Sequence, residues 1–211
     1  MVALLVVSEG ARDVGRATGT HEGAVRVLVR KVVDARERRP TAEHEVQGVE
    51  APRAHRKERG DTRRLSLALS EMKAFGCRSV AYVIDADGYD DRLSRLEAER
   101  TAIEHVSGHQ PIALGVAVQT VEAWLLADET AINGAVEPRP KVMMQPDPES
   151  LWGPARTPRH PKVILESFLA SGTQAAGSSY DAVASRTRID ALEKRCPSFR
   201  RLADEVRARA R

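Results

Sequence analysis

Four short apolar runs alternate with longer stretches whose apolar residues recur at helical spacing, and this alternation constrains the fold more than any other feature of the chain. The first run, Ala3 to Val7, is apolar without interruption and is closed by Ser8-Glu9-Gly10. An unbroken run of that length fits a strand buried on both faces, as in a parallel sheet, rather than one with a wet face. Val46 and Val49 mark a weaker second strand. Ser79 to Ile84, rich in bulky and β-branched residues, is the clearest strand and runs directly into Asp85-Ala86-Asp87-Gly88. Ile112 to Val118 supplies the fourth.

Between these runs lie helical patterns. His21 to Arg36 places Ala24, Val25, Leu28, Val29, Val32 and Val33 on one stripe. Leu65, Leu67, Leu69, Met72 and Phe75 form the next, with Gly76 as its terminator. Arg92 to Val106 follows, with Asp90 or Asp91 as a candidate cap, and Thr120 to Asp128 closes the series. Parallel strands need long crossovers, so this order predicts an α/β fold: a mostly parallel sheet covered by helices. We expect residues 1–132 to form that α/β domain. Residues 133–160 carry most of the chain's prolines and read as a linker or an elaborated loop over the sheet. Residues 161–211 read as a helical C-terminal extension packed on the same domain, with helices over Pro161 to Ala170 and Ser185 to Arg209 and a basic end.

A chain of 211 residues, 42% hydrophobic and 30% charged, can bury a core without staples. Its two cysteines, Cys77 and Cys196, have no neighbouring His or Cys, so they read as buried, inert thiols rather than a disulfide or zinc framework. No apolar stretch approaches the roughly 20 residues of a membrane helix, and the opening run lacks the basic flank of a signal peptide. The expected location is the cytoplasm, with no membrane association. Lys and Arg exceed the acids by 33 to 30, a net charge of +3 compatible with a polyanionic partner.

In an open parallel sheet, ligands bind beyond the carboxyl ends of the strands, where the strand order switches. Glu9 and the pair Asp85 and Asp87 both fall there. Alternate residues of an extended segment point the same way, so Asp85 and Asp87 can face one ion while Gly88 lets the chain turn away. Hard oxygen ligands suit Mg²⁺ or Mn²⁺. The plainer reading makes Glu9 a solvated loop acid and Asp87-Gly88 a simple turn. The basic stretch containing Arg56, Lys57, Arg59 and Arg63 could track a phosphate backbone, or form a solvated face balanced by Glu58 and Asp61.

A strand ending in Glu-Gly, here Val6-Val7-Ser8-Glu9-Gly10, and a later strand ending in Asp-x-Asp-Gly, here Ile84-Asp85-Ala86-Asp87-Gly88, resemble the Toprim domain. That domain occurs in primases, topoisomerases and nucleases of the OLD and RNase M5 types. The segments Ala117 to Asp128, Pro148-Glu149-Ser150-Leu151, His160-Pro161-Lys162 and Cys196-Pro197-Ser198-Phe199 extend the likeness over nearly the whole chain, toward a bacterial Toprim-like family of unknown function similar to the Toprim domain of OLD-type nucleases.

The resemblance implies a Toprim-like α/β fold, Glu9 as the acid/base carboxylate, and Asp85 and Asp87 as metal ligands joined by Glu9. Glu122, at the start of the helix after the fourth strand, is a candidate fourth carboxylate, with a helix-dipole role as the alternative. The resemblance also favours a role near the site for Lys162, which we group with the basic stretch as a nucleic-acid contact. The expected function is a metal-dependent phosphodiester hydrolase acting on DNA or RNA. The chain has no Walker-type Gly-x-x-x-x-Gly-Lys-Ser/Thr sequence, so any ATP-driven step would need a separate ATPase partner, by analogy in a defence or mobile-element setting. The alternatives are a nucleotidyl-transfer enzyme and a non-catalytic module that binds metal or a partner.

Overall fold

The computed structural model describes residues 4–10, 14–15, 22–38, 40, 45–51, 62–136, 147–170 and 176–209, with the side chains of 62–63 and 176–179 excepted. Four strands, β1 (Leu4–Ser8), β2 (Val46–Glu50), β3 (Ser79–Asp85) and β4 (Ile112–Ala117), form one sheet in the order β2-β1-β3-β4, and every pairing is parallel. The chain leaves β1 toward one side for β2 and returns to the other side for β3. The switch in strand order therefore lies between β1 and β3.

Helices cover both faces. Helices α1 (Ala24–Glu37), α2 (Thr62–Ala74) and α3 (Arg92–Ser107) serve as the crossovers between strands. After β4 come α4 (Glu122–Leu125), α5 (Glu129–Ala135), a 3-10 turn at Pro148–Ser150, α6 (Pro161–Leu169), α7 (Ala176–Arg186), α8 (Ile189–Arg195) and α9 (Pro197–Arg209). Side chains alternate across each strand and divide the interior in two. Leu5, Val7, Val80, Tyr82, Ile84, Ile112 and Leu114 pack with Leu65, Leu69 and Met72 of α2 and Leu96 of α3. Leu4, Val6, Ala81, Val83, Ala113 and Ala117 face α1 and the C-terminal helices. The second face of β3 and β4 is lined by small residues, and α9 uses the room. A Cβ built on Gly115 would lie 2.9 Å from Cδ1 of Leu202.

The Arg-rich C-terminal segment is docked through Arg209. α3 and α9 lie on opposite faces of the sheet and reach each other around the open edge of β4. Arg201 pairs with Glu97 at 2.6 Å, Arg100 with Glu205 at 2.5 Å and Arg209 with Glu104 at 2.9 Å. Arg100 also donates to the carbonyl of Ile112, and Arg209 to that of Gln110, each at 3.2 Å. The Ile112 carbonyl at the start of the edge thus acquires a side-chain donor, and the ion pairs between α3 and α9 cover the edge against another strand.

Of the expected helix over Thr120 to Asp128 only the single turn of α4 forms, and α5 starts beyond it at Glu129. The Asp128 carboxylate caps α5 by accepting from the Ala131 amide at 3.2 Å and also accepts from the Arg188 amide at 3.0 Å, so the chain turns at Asp128. The expected helix over Ser185 to Arg209 is broken twice. Thr187 turns its hydroxyl back onto the Val183 carbonyl at 2.8 Å, and Pro197, which has no N–H to give, opens α9. The start of the expected linker, Asn133, lies within α5. Neither Asp90 nor Asp91 caps α3 by a side-chain bond; Asp91 pairs with Arg95 at 2.5 Å. Gly76 does end its helix, at φ 65°.

Candidate active site at the β1 and β3 strand ends

The sheet register carries Glu9 and Asp85 to the same edge. Ser8 aligns with Val83, so Glu9 leaves β1 beside the last residues of β3. Asp85 is the last residue of β3, and its carboxylate accepts from the Val121 amide at 2.9 Å, binding the loop after β3 to the loop after β4. The Ala86 amide donates to the Ala117 carbonyl at 2.8 Å and strengthens that link. Asp87 and Gly88 are then both left-handed, at φ 52° and 80°. Asp tolerates this region better than most residues and Gly visits it freely, which is why an Asp-Gly pair makes the turn.

One guanidinium organises the acids. Arg92, in the first turn of α3, donates to Glu9 Oε1 at 2.7 Å, to Asp87 Oδ2 at 3.1 Å, and to the carbonyl of Asp85. Its side chain is 13% exposed, against 33% for Glu9 and 56% for Asp87. Arg64, from α2, reaches the same Glu9 oxygen at 2.6 Å. These contacts use one oxygen each of Glu9 and Asp87 and leave the second, on half-exposed side chains, for a further ligand. Such hard anionic oxygens fit Mg²⁺ or Mn²⁺ in chemical type. They are not drawn together as a cage. Among the described residues no group of three or more His, Cys, Asp or Glu side chains closes on one point.

Glu122 is half-buried at the start of α4, directly after the Val121 amide that holds Asp85. Arg56, Lys57 and Arg59 lie outside the described residues, and Arg63 falls within α2 with its side chain outside them. Lys162 is exposed in the first turn of α6. Its amide donates to Nδ1 of His160 at 3.3 Å, so the buried His160 serves as the cap of that helix.

Sequence reasoning missed Arg92 and Arg64 as partners of the acids. The available signal was an Arg five residues after Asp87, where the helix that follows an Asp-x-Asp-Gly turn must begin. It also missed the role of Glu149. This carboxylate accepts from Trp124 Nε1 at 3.2 Å, from the Ser198 amide at 3.2 Å and from the Ser198 hydroxyl. Trp124 meets Phe199 edge-on, with centroids 5.3 Å apart. The Pro148 and Cys196 motifs thus form a structural tie that fastens the start of α9 beneath the β4 loop. Cys196 and Cys77 are both buried, and burial pushes both thiols up, for Cys196 with help from the Glu149 charge. At the end of β4, Gln119 Oε1 and Thr120 Oγ1 are buried without a hydrogen-bond partner among the described residues.

No family model, curated protein or solved structure matches the chain. No helix among the described residues is long and apolar enough to cross a membrane.

Proposed function

We propose that this protein is a metal-dependent phosphodiester hydrolase acting on DNA or RNA in the cytoplasm. The observation that carries the reading is the Arg92 guanidinium, which holds Glu9 from β1 together with Asp87 and the Asp85 carbonyl from β3, at the switch in strand order. Ligand sites of parallel α/β sheets occur at such switch points, and acids gathered there need cationic neutralisation.

Glu9, Asp85 and Asp87 would hold Mg²⁺ or Mn²⁺, with Glu122 as a further carboxylate. When bound, the ion supplies Lewis-acid polarisation of a phosphoryl oxygen. The remaining work falls to the chain. Arg92 and Arg64 carry planar guanidinium groups suited to bidentate phosphate contacts, and they orient the scissile group by exchanging a carboxylate oxygen for a phosphate oxygen. Glu9 accepts or returns the proton of the attacking water and the leaving oxygen. Asp85 stays on the Val121 amide and keeps the two loops in register. Arg56, Lys57, Arg59, Arg63 and Lys162 would track the backbone beyond the scissile step. A separate ATPase would supply any ATP-driven step.

The pairing of Glu9 and Asp87 with arginines supports a second reading, a non-catalytic binding module. Cleavage of single- and double-stranded DNA and RNA, with Mg²⁺ or Mn²⁺, separates the two. The hydrolase reading expects cleavage by the wild type and loss of about 100-fold or more in Glu9→Gln and in Asp87→Ala, the scale of removing an acid/base group. Normal cleavage by Asp87→Ala would overturn it. Metal binding with no cleavage by the wild type would support the module.

A further inference from the structure

We propose that a cleft of about 300 Å³ beside the Asp85 to Gly88 turn receives one unstacked base of a single-stranded nucleic acid. The inference rests on the hydrolase reading for the identity of the polymer, and it adds a subsite for which that reading has no residue.

The cleft lies between the end of β4, the turn after β3 and the start of α9. Ala86, Leu93, Val118 and Pro197 give it apolar walls, and Tyr89 and Arg201 stand at it with polar tips. Only a few large hydrophobic side chains are exposed among the described residues, and two of them, Tyr89 at 63% and Val118 at 47%, meet here. Solvent-facing apolar surface concentrated in one concavity marks a binding site more often than a chance exposure. The Tyr89 backbone is rigid, because its amide donates to the Ala86 carbonyl at 2.9 Å and its own carbonyl accepts from the Arg92 amide at 3.2 Å. The ring is therefore presented from a fixed turn and not from a free loop.

The chemistry of the cleft selects the ligand. The start of α9 opens on it, with the Ser198 amide already given to Glu149. Asp90 adds a carboxylate to the lining, and Arg201 is paired with Glu97 at 2.6 Å. What fits is a flat, uncharged group with apolar faces and hydrogen-bonding edges, which describes a nucleobase. Aromatic side chains accept bases of any sequence by stacking, Asp90 accepts from an exocyclic amine, and the Arg201 guanidinium donates to a ring nitrogen or carbonyl. The same turn that carries Tyr89 into the cleft carries Asp87 to Arg92 on its other side. A base in the cleft therefore places its own backbone beside the acids and guanidinium groups. A base within a duplex stays stacked and cannot enter.

The test is fluorescence anisotropy of labelled single-stranded DNA and RNA and of a matching duplex, with the full chain in EDTA so that no cleavage intervenes. The wild type should bind single strands more tightly than the duplex. Tyr89→Ala should weaken single-strand binding by about 5- to 150-fold, the equivalent of about 1–3 kcal/mol for one stacked base, while Tyr89→Phe stays within about twofold. Duplex binding should not change. Unchanged single-strand binding by Tyr89→Ala, or a wild-type preference for the duplex, overturns the subsite and leaves the hydrolase reading standing if cleavage is lost in Asp87→Ala. Tyr89-dependent binding without any cleavage keeps the subsite and overturns the hydrolase. Binding of neither form overturns the subsite, and cleavage with Mg²⁺ or Mn²⁺ decides the hydrolase separately.

Discussion

Replacing Arg92 by Met should move two observables in opposite directions. The substitution keeps an apolar stem of similar reach and removes the guanidinium that Glu9, Asp87 and the Asp85 carbonyl share. Glu9 and Asp87 are 33% and 56% exposed, so each lost ion pair is discounted to the scale of a surface pair, about 0.5 kcal/mol. The Asp85 carbonyl loses a donor at about 1 kcal/mol, for a total near 2 kcal/mol. For a chain of this size that lowers Tm by about 4–8 °C. Metal binding should strengthen instead. A divalent cation binding the second oxygens of Glu9 and Asp87 is repelled by the Arg92 charge, and removing a competitor worth about 1 kcal/mol, the sum of the two ion pairs, tightens Kd by about 5-fold. Calorimetric titration with Mn²⁺, without nucleic acid, beside thermal unfolding, reads both quantities. A variant that loses stability and binds Mn²⁺ no better than the wild type would refute the placement of Arg92 as a counter-ion competing with metal.

Three further outcomes follow from the packing. Gly115→Ala drives a methyl group to 2.9 Å from Cδ1 of the buried Leu202, and should cost about 1–3 kcal/mol by overpacking, visible as a lower Tm. Glu104 is held below its ordinary carboxylate range: burial raises it, but the Arg209 guanidinium and the Gln110 amide outweigh that. Its contribution is then present above the unfolded carboxylate value and lost as pH falls through the lower folded value, so Glu104→Gln should separate from the wild type in Tm at pH 7 and converge with it as the pH falls below the ordinary carboxylate range. Cys77 and Cys196 are buried with raised thiols, so a chromogenic disulfide reagent should titrate neither in the native protein and both after unfolding.

The α/β order was legible because burial on both faces leaves a strand no polar positions, as in Leu4 to Val7 and Val80 to Ile84, and helices between such strands keep a single apolar stripe, as Val25 to Val33 do. The positions of Glu9, Asp85 and Asp87 at one edge follow from the same pattern, since each acid stands where an apolar run ends. The C-terminal third is less legible. Its helices are short, and their ends are set by single tertiary bonds, such as Asp128 to the Arg188 amide and Thr187 to the Val183 carbonyl, which leave no periodic trace.

Local sequence determined the strands, the Asp-Gly turn with its two left-handed residues, and the helix stop at Gly76, because each depends on side-chain alternation or on backbone freedom within a few positions. The tertiary structure alone decided which charges meet. Arg92 lies 83 positions from Glu9 and Arg209 lies 105 from Glu104, and an ion pair at such separation depends on the strand order that brings the partners together. It also decided that Arg100 of α3 and Arg209 of α9 meet at the edge of β4, and that Tyr89, Val118 and Pro197, from three distant segments, wall one cleft beside the acids.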